Sequence, residues 1–337
     1  MDNKNKLDAL FLSEKYEYFN SKNSHDLIYN ESNSIDKKIF AHTNQKLDKY
    51  YTKLQTAKDC INDLKNLIPN LQDYLFIEPS AGAGVFLNAL EYHNCAFKMG
   101  FDIAPTKENN FNIIKNDFLH EDLNQYLTNI QKNTKTIIIG NPPFGKKSHL
   151  AIEFINKAFS YSSIVAFIVP IQFKKWSAQS KIDKKAKLIF DKSLPSNSFE
   201  FLGKDYDVRC CFQVWVNNDD LKFNSLKDLR IQERPILCHP DFEMYQYNRT
   251  EIAEKYFDYD WDFAVPRQGY LDYSFKAFSK EDCNRKRQWI FFKAKNKSAL
   301  NRLLKLDFVK LSLNNTGTPG FGKADVIKEY ISLYEKN

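Results

Sequence analysis

A rigid polar segment, "NPPF", follows an apolar run within Thr136–Lys147. Pro142 and Pro143 fix two successive φ angles and lack N–H donors, and a residue that precedes proline, here Asn141, is kept out of the helical region. The segment therefore offers acceptors, the Asn141 side-chain oxygen and the Pro142 carbonyl, beside the aromatic face of Phe144. This set suits a planar substrate with an NH2 group, whose nitrogen lone pair would be freed to attack an electrophile.

A second motif, "EPSAGAG" (Glu78–Gly84), predicts a glycine-rich turn between a strand and a helix. Gly82 and Gly84 let the backbone approach a ligand, and the helix that follows offers N–H groups to an anion, although packing alone can also require such glycines. Asp102 lies 18 positions after Gly84, near the spacing at which an acid accepts hydrogen bonds from ribose hydroxyls. Because position 87 is leucine, the phosphate fingerprint is incomplete, which favours a nucleoside cofactor without a pyrophosphate.

The elements that must position these residues alternate along the chain. Strands and helices at this spacing predict an α/β fold, a parallel sheet with helices on both faces. Ligands bind beyond the carboxyl ends of such strands, where Glu78, Asp102, Asp117 and Asn141 all fall. Strands are predicted within 74–90, 98–105, 111–119, 136–144, 163–170 and 208–216, and helices within 50–64, 74–90 and 150–159.

Composition narrows the class of protein. The 337 residues carry a formal charge of +7, which tolerates a polyanionic partner without requiring one. The six cysteines form no C-x-x-C pair, so neither a zinc site nor a disulfide framework is expected, and no other metal is implied. We expect a cytoplasmic chain with no membrane role, because no signal peptide begins it and its apolar runs are too short to span a bilayer.

Three regions are predicted. Residues 1–45 are a polar arm, with one short helix around 7–19. Residues 46–216 form the catalytic domain, and residues 217–337, where the alternation of elements stops, form a smaller domain.

The motifs "FIEPSAGAG", "GFDI", "NDF" and "NPPF", in this order over about residues 50–216, resemble those of S-adenosylmethionine-dependent amino-methyltransferases. They are most similar to the DNA adenine-N6 methyltransferases that place the target-recognition domain last. The resemblance implies a Rossmann-like seven-stranded methyltransferase sheet with helices on both faces, and a C-terminal α+β recognition domain. It also implies methyl transfer from S-adenosylmethionine to N6 of an adenine flipped out of a specific double-stranded DNA sequence.

The resemblance also assigns site residues. Asn141, Pro142, Pro143 and Phe144 would hold the target base. Lys53 stands where the family usually has proline, which leaves the rigidity of that loop open. The cofactor-binding residues implied are Tyr51, Thr52, Glu78, Pro79, Ser80, Ala81, Gly82, Gly84, Asp102, Ile103, Asp117, Phe118, Asn141 and Phe154.

Recognition of the substrate is expected from aromatic and basic side chains. Tyr206 or Phe212 is a candidate for the second aromatic that sandwiches the target, although Phe212 also suits a core position. Side chains able to read base edges are those of Arg267, Gln268, Arg285 and Arg287.

Several functional alternatives stay open at this point. The predicted partner is double-stranded DNA. The chain would be the methylase of a restriction-modification system with a separately encoded endonuclease, or a solitary or phage methylase. Alternatives are an RNA adenine or guanine amino-methyltransferase and an inactive nucleic-acid-binding module. A protein-glutamine methyltransferase is disfavoured by Phe144, where that family has tyrosine.

Overall fold

The computed structural model describes residues 51–106, 111–127, 134–201, 204–270, 272–315 and 318–335. The predicted arm (1–45) and its helix lie outside them. The described residues divide into two compact units, and the predicted boundary near Asn217 stays a prediction. The first unit runs up to Phe167 and includes Ser198–Tyr206, and the second contains Ile168–Asn197 and the residues from Asp207 onward.

The described chain contains thirteen strands and nine α-helices. The strands are β1 (Tyr51–Thr52), β2 (Tyr74–Glu78), β3 (Lys98–Asp102), β4 (Ile113–Lys115), β5 (Lys135–Gly140), β6 (Ile164–Pro170), β7 (Ala186–Ser193), β8 (Phe199–Phe201), β9 (Lys204–Tyr206), β10 (Cys210–Asn217), β11 (Phe242–Tyr247), β12 (Phe263–Gln268) and β13 (Gln288–Ala294). The helices are α1 (Leu54–Leu67), α2 (Val85–Tyr92), α3 (Asn124–Leu127), α4 (His149–Ala158), α5 (Trp176–Gln179), α6 (Glu251–Glu254), α7 (Lys297–Leu304), α8 (Phe308–Ser312) and α9 (Lys323–Tyr334).

Seven strands form one sheet in the order β4-β3-β2-β5-β6-β10-β7, which confirms the predicted α/β fold. The pairs β2–β3, β2–β5, β3–β4 and β5–β6 are parallel. The pair β7–β10 is antiparallel, so the sheet is mixed and not wholly parallel as predicted. The connection between β7 and β10 explains the difference, since it contains the short strands β8 and β9 instead of a crossover helix, which a parallel pair would need.

In the first unit, the apolar residues are buried in the pattern expected for central strands and for helices that pack on a sheet. Strand β2 is buried along its whole length, and so is β6, of which residues 164–167 belong to this unit, as expected where helices cover both faces of a sheet. Helix α1 buries Ala57, Cys60, Ile61 and Leu64 on one face. The helix ends before Ile68, the residue that precedes a proline and is therefore kept from the helical region.

A small antiparallel sheet, β1-β8-β9, completes the first unit. Thr52 of β1 pairs with Phe199 of β8, and Phe199 in turn pairs with Tyr206 of β9. The segment Ser198–Tyr206 thereby anchors the short strand that precedes α1.

The second unit contains an antiparallel sheet, β11-β13-β12, with apolar clusters on both faces. Phe263 and Phe292 stack with ring centroids 4.8 Å apart on the face that helices α7, α8 and α9 cover. Trp289 and Phe291 lie in the cluster on the other face. The predicted C-terminal α+β region is thus confirmed, and its last helix begins at Lys323.

Across the described residues, every helix falls short of the length or the apolar content that crossing a membrane requires.

Candidate functional site

A cavity of about 350 Å³ opens beyond the carboxyl ends of β2, β3, β4 and β5, and its lining lies entirely in the first unit. This volume is within the range of small-molecule sites. All the predicted catalytic and cofactor-binding residues line it except Gly84. The lining residues are Tyr51, Thr52, Glu78, Pro79, Ser80, Ala81, Gly82, Ala83, Val85, Phe86, Asp102, Ile103, Asn116, Asp117, Phe118, Leu119, His120, Asn141, Pro142, Pro143, Phe144, Leu150 and Phe154.

The turn after β2 is fixed by the carboxylate of Asp102. Its Oδ2 accepts the backbone N–H of Gly82 at 2.8 Å, and its Oδ1 accepts that of Ala104 at 2.8 Å. Gly82 adopts φ +52°, which favours glycine. Gly84 has φ +78°, and a Cβ there would lie 2.8 Å from the ring of Phe111, so this glycine is required by the backbone and by packing.

Glu78, at the last position of β2, carries a buried carboxyl group. The residue is 2% exposed, and its Oε2 has no hydrogen-bond partner among the described residues. Burial raises the pKa of this carboxyl well above its usual range; a backbone hydrogen bond at Leu87 opposes the rise, and the negative charge of Asp102 adds to it. A cationic group in the cavity would remove the cost of ionising Glu78.

The turn after β4 presents a second buried oxygen. Asn116 is 1% exposed, and its Nδ2 donates to Glu121 Oε2 at 2.8 Å. Glu121 Oε1 also accepts the backbone N–H of Asp117 at 3.1 Å, so the Glu121 carboxylate fixes the direction of the Asn116 amide. The Asn116 Oδ1 has no partner among the described residues and is suited to a ligand N–H or O–H group.

Aromatic side chains line the cavity next to this turn. The rings of Phe118 and Phe154 lie 5.0 Å apart at 37° and are almost fully buried. Asp117, which precedes Phe118, accepts the backbone N–H of Leu119 at 3.2 Å and lies 2.9 Å from His120 Nδ1. An apolar wall beside a carboxylate suits a heterocyclic base with an amino group.

The segment after β5 is held on both sides. The main-chain oxygen of Asn141 accepts a hydrogen bond from Ser80 Oγ at 3.2 Å, and its side-chain Nδ2 donates to Thr52 Oγ1 at 3.1 Å. Gly140 has φ +151°, and a Cβ there would lie 3.2 Å from Glu78 Cγ. Glycine at position 140 therefore lets β5 lie close against the Glu78 side chain.

None of the residues predicted to recognise the substrate lines the cavity. Tyr206 is 41% exposed on β9, and Phe212 is fully buried in β10, 6.2 Å from Phe190. In the second unit, Arg267 donates to Gln288, and the Gln268 backbone forms a bridge with Gly320. Arg285 is ion-paired with Glu254, and Arg287 donates to the carbonyl of Gly269 at 2.6 Å.

Sequence reasoning missed seven residues of the cavity wall. Asn116 had a signal, because it precedes Asp117 at the end of a predicted strand. Leu150 contacts the turn at Gly145, where a Cβ would lie 2.7 Å from Leu150 Cγ. The other missed residues, Ala83, Val85, Phe86, Leu119 and His120, flank motif residues and carried no signal of their own.

A cluster of His239, Asp241 and Glu335 in the second unit has ligand atoms within 4.8 Å of one another. His239 Nδ1 accepts the backbone N–H of Asp241, which places the ring proton on Nε2, 2.9 Å from Glu335. Both ring nitrogens of His239 therefore already have protein partners.

Comparisons with known proteins find similarity to methyltransferases over part of the chain. A family model described as the EDM2 methyltransferase-like domain matches residues 87–234, which is less than half of the chain. This match covers β3–β10 and includes Asn141, but begins after the turn at Glu78. No protein of curated function matches the chain.

Solved structures similar to this chain are distant. A Pyrococcus horikoshii protein provisionally described as an RNA methyltransferase is 16% identical, with a TM-score of 0.34 over 54% of this chain and 98% of its own. A Listeria monocytogenes protein provisionally described as a class I S-adenosylmethionine-dependent methyltransferase is 14% identical (TM-score 0.38; 54% and 64%). The M protein of the type I restriction enzyme EcoKI is 16% identical (TM-score 0.32; 46% and 42%).

Proposed function

We propose that this chain transfers a methyl group from S-adenosylmethionine to the N6 amino group of adenine in double-stranded DNA. One observation carries the proposal. The rigid segment Asn141–Phe144, with its acceptors and aromatic ring, lines the same cavity as the buried Glu78 carboxyl and the Asp102 carboxylate. An amine-binding segment and a nucleoside-binding turn thus face one space.

The residues of the cavity fit the cofactor. Glu78 Oε2, which has no partner in the described part of the chain, would accept from the ammonium of the methionine part, and Asp102 would accept from the ribose hydroxyls. Asn116 Oδ1 supplies an acceptor to the nucleoside, and the Phe118 and Phe154 rings supply apolar contact with its base. When bound, S-adenosylmethionine supplies an electrophilic methyl group on a positively charged sulfur.

The target amine would be held by acceptors alone. Asn141 Oδ1 and the Pro142 carbonyl would each accept one amino hydrogen, while the base stacks on Phe144. Accepting both hydrogens directs the nitrogen lone pair toward the methyl group. No strongly shifted base is required, because the amine can lose its proton after attack, and catalysis consists of positioning and charge complementarity.

The DNA part of the proposal depends on the second unit. Residues 285–310 contain nine Lys and Arg side chains against one acidic residue. Lys286, Arg287, Lys297 and Lys305 are exposed there and can contact phosphates, which carry most of the affinity for DNA. A separately encoded endonuclease partner stays a prediction.

Methyl transfer and its acceptor can be tested together. The chain is incubated with tritiated S-adenosylmethionine and separate pools of duplex DNA, RNA and protein, and the labelled nucleoside is identified. Asn141→Ala should lower the rate by about one to two decades and leave cofactor binding largely intact. Asn88→Ala, an exposed helix α2 residue outside the cavity, is the matched control.

Each outcome decides between the alternatives. N6-methyladenine in DNA supports the proposal. Label in RNA alone would indicate that the chain is an RNA amino-methyltransferase that uses the same chemistry. No label in any pool would support an inactive module. Full activity of Asn141→Ala would refute the role given to the segment after β5.

A further inference from the structure

We propose that Thr52 is a positioning residue, which fixes the side-chain amide of Asn141 so that its oxygen meets the substrate amine. This inference rests on the proposed function of the same cavity. Thr52 was assigned above, by resemblance, only to the cofactor.

The contact between the two side chains is direct. Asn141 Nδ2 donates to Thr52 Oγ1 at 3.1 Å, across 89 positions of sequence. Thr52 is 6% exposed, and the Asn141 Oδ1 is buried. The main chain of Asn141 is held separately by Ser80 at 3.2 Å, so Thr52 acts on the direction of the amide and not on the position of the backbone.

The direction of the amide decides whether the site can work. An asparagine amide has an acceptor end and a donor end of nearly equal shape, and an exocyclic amine can donate only to the acceptor end. In the opposite rotamer the Asn141 NH2 would face the substrate NH2, and one of the two required hydrogen bonds would be lost. In the rotamer that the structure shows, the Thr52 hydroxyl accepts from Nδ2, which satisfies the donor end of the amide and directs Oδ1 toward the substrate.

Thr52 is itself held by a segment far along the chain. Its strand pairs with β8, where Thr52 lies opposite Phe199. The Lys53 backbone N–H donates to the Ser198 carbonyl at 3.0 Å, and Lys53 Nζ lies 2.6 Å from Asp205 Oδ1. The small sheet β1-β8-β9 therefore supports the orientation of the Asn141 amide. This gives a function to the segment Ser198–Tyr206, which contains β8 and β9.

The test compares Thr52→Val, which keeps the shape and removes the acceptor, with Thr52→Ser, which keeps the acceptor. In the full chain, with unmethylated duplex DNA of mixed sequence as probe, Thr52→Val should lower kcat about 10- to 100-fold at saturating cofactor. Thr52→Ser should stay within a few-fold of the wild type. In Asn141→Asp both ends of the side chain are acceptors, so either orientation can meet the substrate amine. Adding Thr52→Val to this variant should therefore lower kcat by a smaller factor than it does in the wild type.

A second measurement does not depend on activity. The Asn141 side-chain amide is followed by 15N–1H NMR, its signal assigned by its loss in Asn141→Ala. Thr52→Val should shift or broaden this signal, and Thr52→Ser should preserve it. An unchanged signal in Thr52→Val would overturn the inference.

The remaining outcomes are separable. A wild type without methyl transfer would defeat the proposed function, whereas the NMR comparison would still test the contact. If Thr52→Val raises the dissociation constant of S-adenosylmethionine but keeps kcat at saturation, Thr52 is a cofactor contact only and the inference is wrong. Loss of kcat in both Thr52 variants would also contradict it, because serine keeps the hydroxyl.

Discussion

Replacing Glu78 with glutamine should stabilise the free protein and weaken the binding of the cofactor. The carboxyl is buried beside Asp102, its Oε2 has no partner among the described residues, and burial raises its pKa well above the usual range. At neutral pH the folded state must either ionise this group in a dry site or hold an extra proton, whereas the unfolded chain ionises it freely. Glutamine has a similar shape and no charge to desolvate.

The sign of the pH effect follows from the direction of the shift. A carboxyl whose folded pKa is raised contributes stability below its unfolded pKa, and this contribution is lost as the pH rises through the folded pKa. Each pKa unit of elevation corresponds to about 1.4 kcal/mol. Glu78→Gln should therefore unfold at a higher temperature at pH 8, by about 2–4 °C for each kcal/mol in a domain of this size, and the gain should shrink toward pH 4.

The same substitution, which should stabilise the folded protein, should weaken the binding of S-adenosylmethionine. An ammonium beside Glu78 would restore the charged carboxylate, and a hydrogen bond to a charged group is worth about 1.5–3 kcal/mol. Glu78→Gln should thus raise the dissociation constant of S-adenosylmethionine by about one to two decades. Below the raised pKa, binding to the wild type should also release a proton, visible in calorimetry as a heat that depends on the buffer, and the variant should lose this dependence.

The assay combines calorimetric titration with thermal unfolding from pH 4 to pH 8. Glu91→Gln is the matched control, since Glu91 is an exposed helix α2 residue paired with Lys98, and it should change the unfolding free energy by less than about 0.5 kcal/mol. A Glu78→Gln variant that unfolds at a lower temperature at pH 8 would refute the burial argument. An unchanged dissociation constant would refute the assignment of Glu78 to the ammonium.

Asn116→Leu should raise the dissociation constant of S-adenosylmethionine about tenfold, because the buried oxygen available to the nucleoside is lost; equal affinity by calorimetry would contradict this role. Replacing both Lys286 and Lys305 with glutamine should weaken binding to a fluorescent DNA duplex and reduce the slope of log affinity against log salt by about 1.8. Lys310→Gln is the control, because the Lys310 ammonium is already ion-paired with Glu329. An unchanged slope in the double variant would show that Lys286 and Lys305 do not contact the phosphates.

Much of the fold and part of the cavity could be predicted because both depend on local patterns. Buried parallel strands read as continuous apolar runs, so β2, β5 and β6 were located from sequence. The rule that ligands bind beyond the carboxyl ends of strands then brought Glu78 and Asn141 to one cavity.

The rest depends on contacts between distant parts of the chain. Strand β1 has only two residues and exists through its pairing with β8, which no local period indicates. The hydrogen bond between Asn141 and Thr52 joins residues 89 positions apart, and the direction of the Asn116 amide depends on Glu121. The antiparallel pair β7–β10 likewise follows from the connection between the strands, not from their composition.

The charge of the second unit shows why a basic sequence is a weak guide to a nucleic-acid surface. Of the cations in residues 285–310, Arg285 is paired with Glu254 and Lys295 with Glu243, so these side chains are already partly neutralised. Base reading by Arg285 would require breaking an ion pair, and Arg267 is partly buried, with a pKa that burial lowers. Arg287 commits one Nη1 donor to the carbonyl of Gly269 and is otherwise exposed, so of the three predicted arginines it is the one that can reach a base edge at the lowest cost.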